Sequence, residues 1–226
     1  MFKNLLDFWK GKDFLTNVLG EFENMLKDAQ VMFGSVCKKL LENEDMPGLE
    51  DKIYEVDKNI NLIEKDIRKR IIEHLSIQPS VDISMSLLLM SVVKDAERLG
   101  DYAKNLFEVS RLKKGPLDKG TYVKMFDAID KTIMKMFDDT KKAFIESDEE
   151  AAKSIWQTER GIVKRCDGIL EELAKSNLGT NEAVTFTLMA RYFKRTAAHL
   201  TNIATSVILP ISELDFFDEK RRSEDV

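Results

Sequence analysis

Apolar residues recur three and four positions apart along almost the whole chain, the spacing of one face of an α-helix, and only a few short stretches interrupt them. The pattern predicts a first long helix over about Asp13 to Glu44, closed near Asn43 to Pro47. A second helix is predicted over about Pro47 to Leu75, with Pro47 in a first turn where its missing N–H goes unneeded. The stretch SIQPSVD interrupts it, because Pro79 disfavours the helical conformation at Gln78. A third helix follows over about Val81 to Leu112. The strongest break is KKGPLDKG, with two glycines and a proline within eight residues.

Beyond that break the plan returns. A fourth helix is predicted over about Thr121 to Glu146. Ser147-Asp148-Glu149-Glu150 reads as a capping box, with Ser147 as the cap and Glu150 reaching back. The fifth helix runs to about Ser176, where Gly179 is expected just past a helical end. The sixth spans about Asn181 to Ile208, ended or kinked by Pro210. The chain is therefore expected to be all-α, with six long helices as two tandem three-helix repeats in one bundle. The expected units are residues 1–115, 116–217 and a charged tail, 218–226. Overlaying 96–110 on 193–207, a shift of 97, matches Arg98 with Arg195 and Asn105 with Asn202. Overlaying 56–67 on 158–169 matches Asp57 with Glu159.

Composition narrows this further. With 43% hydrophobic and 33% charged residues in 226, the chain can bury a sizeable core. Four prolines and ten glycines are too few for the turns of an all-β chain. The net charge of −5 argues against a surface built to neutralise nucleic-acid phosphates. Cys37 and Cys166 lie far apart within helical patterns and are expected as small buried hydrophobes in a reducing compartment. No secretory leader is expected, and no window approaches the roughly 18 apolar residues of a membrane span, so the expected location is cytoplasmic. Phe2, Leu5, Leu6, Phe8 and Trp9 suit packing on the bundle or a partner subunit, with a short interfacial anchor as the alternative.

The stretch KDAERLGDYAKNL raises a chemical question. Glu97 and Asp101 are four residues apart, so they leave one helix face about a turn from each other. In the preceding helix Asp57, Asn61 and Glu64 are spaced four and three, again on one face. A short loop joins the two helices and makes them antiparallel neighbours, so two oxygen-bearing stripes could face each other. Like charges that close call for a cation between them, and hard cations take oxygen ligands. The alternative is a solvated face, with Lys58, Lys65, Arg68, Lys94 and Arg98 as ion-pair partners. In the second half Lys194 and Ala198 stand where Glu97 and Asp101 stand, and Lys194 is a candidate partner for Glu159. His74 and His199 sit in no Glu-x-x-His pattern and read as core or surface histidines. No phosphate loop, nucleophile elbow or His-Glu-x-x-His segment is present, which argues against an enzyme.

These residues carry a family resemblance. Gln78-Pro79, followed by Glu97-Arg98-Leu99-Gly100-Asp101-Tyr102-Ala103-Lys104-Asn105-Leu106, resembles the PhoU family of phosphate-uptake regulators. Asp57, Ile60, Asn61 and Glu64 are similar to that family's upstream pattern. Arg191, Arg195, His199, Asn202 and Ile203 are similar to its second copy. The resemblance implies two three-helix repeats in one bundle, and multinuclear iron or zinc clusters on Glu/Asp-x-x-x-Asp motifs. Glu97 and Asp101 match that motif, with Asp57, Asn61 and Glu64 as further ligands of a divalent or trivalent metal. It implies regulation rather than catalysis, through a phosphate ABC transporter and a membrane sensor histidine kinase, and association as a homodimer. Two departures stand out. Tyr102 replaces the usual histidine, and the second repeat lacks both motif acids, so one such cluster at most is expected. A metal-free helical adaptor, or a carboxylate-metal hydrolase or oxidase, are the alternatives.

Overall fold

The computed structural model describes residues 13–42, 46–78, 80 and 82–215. The apolar N-terminal residues, Asn43, Pro79 and the charged tail at 218–226 lie outside the described residues. Seven helices are described: α1 (Asp13–Glu42), α2 (Leu49–Ile77), α3 (Ile83–Leu112), α4 (Lys119–Phe126), α5 (Ile129–Glu146), α6 (Glu149–Ala174) and α7 (Thr180–Thr205). A short 3-10 turn, Ile211–Glu213, follows. No strand occurs among the described residues, as the helical periodicity demands.

Each repeat folds its three long helices on one another, and α3 and α7 pack together to join the two. The register is visible in the contacts. Between α2 and α3, Glu50 pairs with Arg111, Tyr54 with Glu108, and Asp57 with Lys104, so the helices run antiparallel. Between α1 and α5, Phe33 meets Phe137 and Phe22 meets Phe144, again antiparallel. The centre of the bundle is aromatic. Phe33 reaches Phe193 at 5.7 Å between ring centroids, and Phe126 packs on both Phe186 and Phe193. Burying each such ring contributes about 2–3 kcal/mol, so these phenylalanines are what hold the repeats as one body. Cys37 and Cys166 are both free and buried, as expected from their settings. Burial pushes the Cys166 thiol up to about 12 and raises Cys37 too, so neither offers a thiolate.

Three boundaries differ from the sequence expectation. The fourth helix is two helices, α4 and α5, parted at Asp127 and Ala128, whose φ angles of 45° and 59° are both left-handed. Neither glycine nor proline marks this break. It turns Phe126 into the aromatic centre and lets the Tyr122 hydroxyl donate across the kink to Asp130 at 2.6 Å. Ser147 is not the cap of α6. It ends α5 in a left-handed conformation, and the Asp148 carboxylate takes the cap instead, accepting from the Ala151 N–H at 3.0 Å. Asp148 can do so because its own backbone is extended, with φ −85°, as a helix N-cap requires. Gly179 is likewise the residue before α7 rather than one following α6, which closes at Ala174.

Ala128 has a Cβ that the left-handed region disfavours by roughly 1 kcal/mol. Ala128→Gly should therefore raise unfolding stability by about 0.5–1 kcal/mol, read from the urea midpoint followed by circular dichroism.

Candidate functional site

The α2–α3 seam brings the sequence-predicted residues together. Asp57, Asn61 and Glu64 share one face of α2, and Glu97 and Asp101 share one face of α3. The helices can approach closely here because Gly100 has no side chain. A Cβ on it would stand 3.0 Å from Ile60 Cδ1. All five residues are buried or half-buried. Glu97 and Asp101 keep 15% and 22% of their side-chain surface, and Asp57 keeps 12%. They line a crevice rather than a fully solvated face.

The ion pairs in this crevice come from the chain itself. Lys104 Nζ donates to Asp57 Oδ1 at 2.9 Å and Oδ2 at 2.8 Å, and to Asp101 Oδ1 at 3.0 Å. It thereby ties α2 to α3. Arg98 donates to Asp101 Oδ2 at 2.8 Å, and Arg68 pairs with Glu64 at 2.9 Å, each within its own helix. Glu97 is served least well, its nearest cation atom being Arg98 Nε at 3.6 Å. Burial raises the Glu97 carboxyl above the usual range, and Asp101, Glu64 and Asp57 raise it further, against an opposing pull from Arg98. Burial works against the Lys104 charge, but its hydrogen bonds to Asp57 and Asp101 prevail and hold its affinity for the proton above normal. Asn61, a turn beyond Asp57, is half-buried on the same face.

The donor chemistry of this crevice suits a hard cation, since four carboxylates and an amide oxygen sit on facing helices. Glu97 is raised first by its burial and then by the acids around it, against the pull of Arg98. The side chains are drawn in around Lys104, however. Among the described residues no three His, Cys, Asp or Glu groups converge to metal-holding distance in this arrangement.

The second repeat inverts the charges. Lys194, at the position of Glu97, donates to Asp167 Oδ1 at 2.7 Å and Oδ2 at 3.0 Å. Sequence reasoning placed the partner at Glu159, but the hydrogen bonds go to Asp167, at the position of Lys65. An acid on α6 and a base on α7 satisfy each other directly there.

A second polar feature lies at the α3–α7 seam and escaped the sequence reading. Asp95 has no exposed surface. Its Oδ1 accepts from His199 Nδ1–H at 2.6 Å and from Asn202 Nδ2 at 3.3 Å. Its Oδ2 takes a longer contact from Lys94 at 3.4 Å, and Lys94 in turn holds Asp215 at 2.9 Å. The Tyr102 hydroxyl stands 3.4 Å from His199 Nε2. The shift of 97 relates Tyr102 to His199 and Asp95 to Tyr192. The Asp95–His199 pair thus has a duplicate-related mate in Tyr192–Tyr102, whose rings lie 6.1 Å apart. The clue was available. Asp95 interrupts the apolar stripe of Leu88, Val92, Leu99 and Leu106 at core spacing. His199 was read as an ordinary core or surface histidine, and it proves to be the partner of a buried acid. His74 stacks on Phe14 at 4.3 Å and lies 3.4 Å from Asp82.

A duplicated three-helix unit, joined through α3 and α7 and carrying one carboxylate crevice, defines a class of tandem-repeat helical bundle. A profile described as the PhoU domain matches the chain twice, over residues 22–109 and 128–207, and the chain belongs to the PhoU family. The phosphate-specific transport system accessory protein PhoU homolog 1 of Thermotoga maritima is 33% identical over 101 residues. That match spans 42% of this chain and 42% of the relative. Two solved structures share the fold. PhoU from Pseudomonas aeruginosa superposes with a TM-score of 0.74 at 21% identity, covering 86% of this chain and 95% of the other. The phosphate transport system regulatory protein PhoU from Streptococcus pneumoniae gives 0.71 at 19% identity, covering 96% and 97%.

Two predictions follow from these contacts. Asp95→Ala should lower stability by about 2–4 kcal/mol in chemical denaturation, because it strips a buried partner from His199 and Asn202. Glu97→Gln should raise stability at neutral pH by under about 1 kcal/mol in metal-free buffer. The folded Glu97 carboxyl is raised, so its charge opposes folding above that raised value and not below the unfolded one. The advantage of Gln should therefore fade as pH falls through the raised value towards the ordinary carboxylate range, in melts run from pH 7 to 4.

Proposed function

We propose that this protein is a PhoU-type regulator of phosphate uptake that acts by contact, not by catalysis. Its surfaces engage components of a phosphate ABC transporter or a sensor histidine kinase on the cytoplasmic side of the membrane. Support comes from the membership of the family, from two matched copies of its domain, and from a relative named for an accessory role in phosphate-specific transport. Among the described residues no helix is long and apolar enough to cross a membrane, which accords with action from one side of it. Among the described residues these carboxylates pair with Lys104, Arg98 and Arg68 rather than with a hydroxyl or thiol, so hydrolysis or oxidation is the weaker reading.

We propose further that the α2–α3 crevice takes a divalent or trivalent metal, iron or zinc, held by Glu97 and Asp101 with Asp57, Glu64 and Asn61. The observation that carries this is the placing of Glu97 and Asp101 on α3 opposite Asp57 on α2, all largely withdrawn from solvent, with Glu97 held only by a 3.6 Å contact to Arg98. A bound cation would supply the missing positive charge and order the surface of α2 and α3. A metal-free adaptor is the competing reading, favoured by the internal cations Lys104, Arg98 and Arg68.

Untagged protein purified without chelators should contain iron, zinc or another such metal by elemental analysis, and Glu97→Ala/Asp101→Ala should lose it. An absence of metal in both proteins, with melting unchanged by chelator, would establish the adaptor instead. In a host whose own PhoU protein has been removed, expression should restore repression of phosphate uptake at high external phosphate. Unaltered uptake would overturn the regulatory role.

A further inference from the structure

We propose that one end of the bundle is a docking surface for an anionic lipid bilayer, built from the turn between α2 and α3 together with the stretch Phe2–Trp9. Neither the regulatory reading nor the metal crevice requires contact with lipid, so this inference stands apart from both. Ile72 and Ile77, in the last turns of α2, are 59% and 79% exposed. Ile83 and Leu87, in the first turns of α3, are 44% and 46% exposed. No side chain from Ile83 to Val93 is charged. Large aliphatic residues exposed singly are ordinary, but several gathered about one turn mark a site of contact.

The start of α1 lies at the same end. The Phe14 ring stacks on His74 at 4.3 Å between centroids, and the Arg70 guanidinium stands 5.9 Å from that ring. Ile77 follows Arg70 and His74 along one face of α2, a turn nearer its end. The sequence before α1 is MFKNLLDFWKGK, which lies outside the described residues. On helical spacing Phe2, Leu5, Leu6, Phe8 and Trp9 fall within an arc of about 160°, opposite Lys3, Asn4, Asp7 and Lys10. That is the pattern of a helix lying in a membrane interface. Were α1 to continue unbroken through it, the apolar arc would point about 140° away from the buried line of Leu15, Val18, Phe22 and Met25. Lengthening α1 therefore leaves the arc off the core, and charge decides what covers it. Lys3, Lys10 and Lys12 face Asp7 alone, so this stretch is positive in a chain whose net charge is −5. Negative headgroups attract such lysines while the aromatic and aliphatic side chains enter the acyl boundary.

The test floats the full chain with vesicles. Phosphatidylcholine carrying about 30% phosphatidylglycerol should carry at least about tenfold more protein than phosphatidylcholine alone, and high salt should release most of it. Leu5→Glu/Leu6→Glu should abolish flotation, and Ile77→Glu/Leu87→Glu should weaken it several-fold. Both variants should melt like the wild type without vesicles, since neither pair is held in the core. Should Ile77→Glu/Leu87→Glu fail to fold, Ile77→Ser/Leu87→Ser removes the same apolar surface without adding charge. A wild type that does not float, with a lowered melt for Leu5→Glu/Leu6→Glu, would place the stretch on its own bundle and overturn the proposal. A wild type that does not float but is a dimer, made monomeric by the same variant, would overturn it in favour of a second copy. Equal flotation with neutral vesicles, flotation that survives Leu5→Glu/Leu6→Glu, or flotation untouched by either change at Ile77 and Leu87 would each overturn it as well.

Discussion

A carboxylate with no exposed surface persists only where hydrogen bonds replace its lost water, and Asp95 finds them on the other repeat. His199 and Asn202 reach it from α7, so the price of burying this acid is met only when the two repeats are docked. The same residue's neighbour, Lys94, ties α3 to the segment after α7 through Asp215. Asp95 thus marks one face of α3 as the joint of the molecule. Glu97, Asp101 and Lys104 lie about 180–240° further round the same helix. One helix consequently serves both purposes, with its inner face fastening the repeats and its outer face lining the crevice.

The outer face is governed by a charge balance struck over a few ångströms. Gly100 lets α2 approach, and the approach crowds four carboxylates. Lys104 and two arginines pair with these acids, while burial and the neighbouring carboxylates raise the affinity of Glu97 for the proton. The second repeat shows what becomes of the arrangement when one carboxylate position turns into lysine. Lys194 and Asp167 close on each other, and Cys166, where the first repeat has Glu64, is a protonated thiol in the core. Duplication preserved the scaffold and let the chemistry diverge, because packing depends on the apolar face of each helix and not on the residues of its rim.

Much of the fold was legible in the chain because helical burial imposes a strong, local period. The long helices, the two repeats and the crevice residues all follow from spacing three and four. The exceptions have physical causes. The break at Asp127 and Ala128 carries no glycine or proline, and is set by the drive to bury Phe126 among Phe186 and Phe193. The choice of Asp148 over Ser147 as a cap turned on which residue had an extended backbone. Lys104 was passed over because a lysine on a helix ordinarily reads as solvated, and its reach across to Asp57 depends on an interhelical distance. Asp95 could have been found, as a charge at core spacing, but its partner lies 104 residues away.

The sequence by itself determined the helices, their pairing in two repeats, and which oxygen-bearing residues share a face, since each depends on a period within one segment. Only the tertiary structure decided which charges meet. It assigned Asp57 and Asp101 to Lys104, Lys194 to Asp167, and Asp95 to His199. An ion pair depends on distances of about 3 Å between segments remote in the chain, and these exist only after the helices have packed.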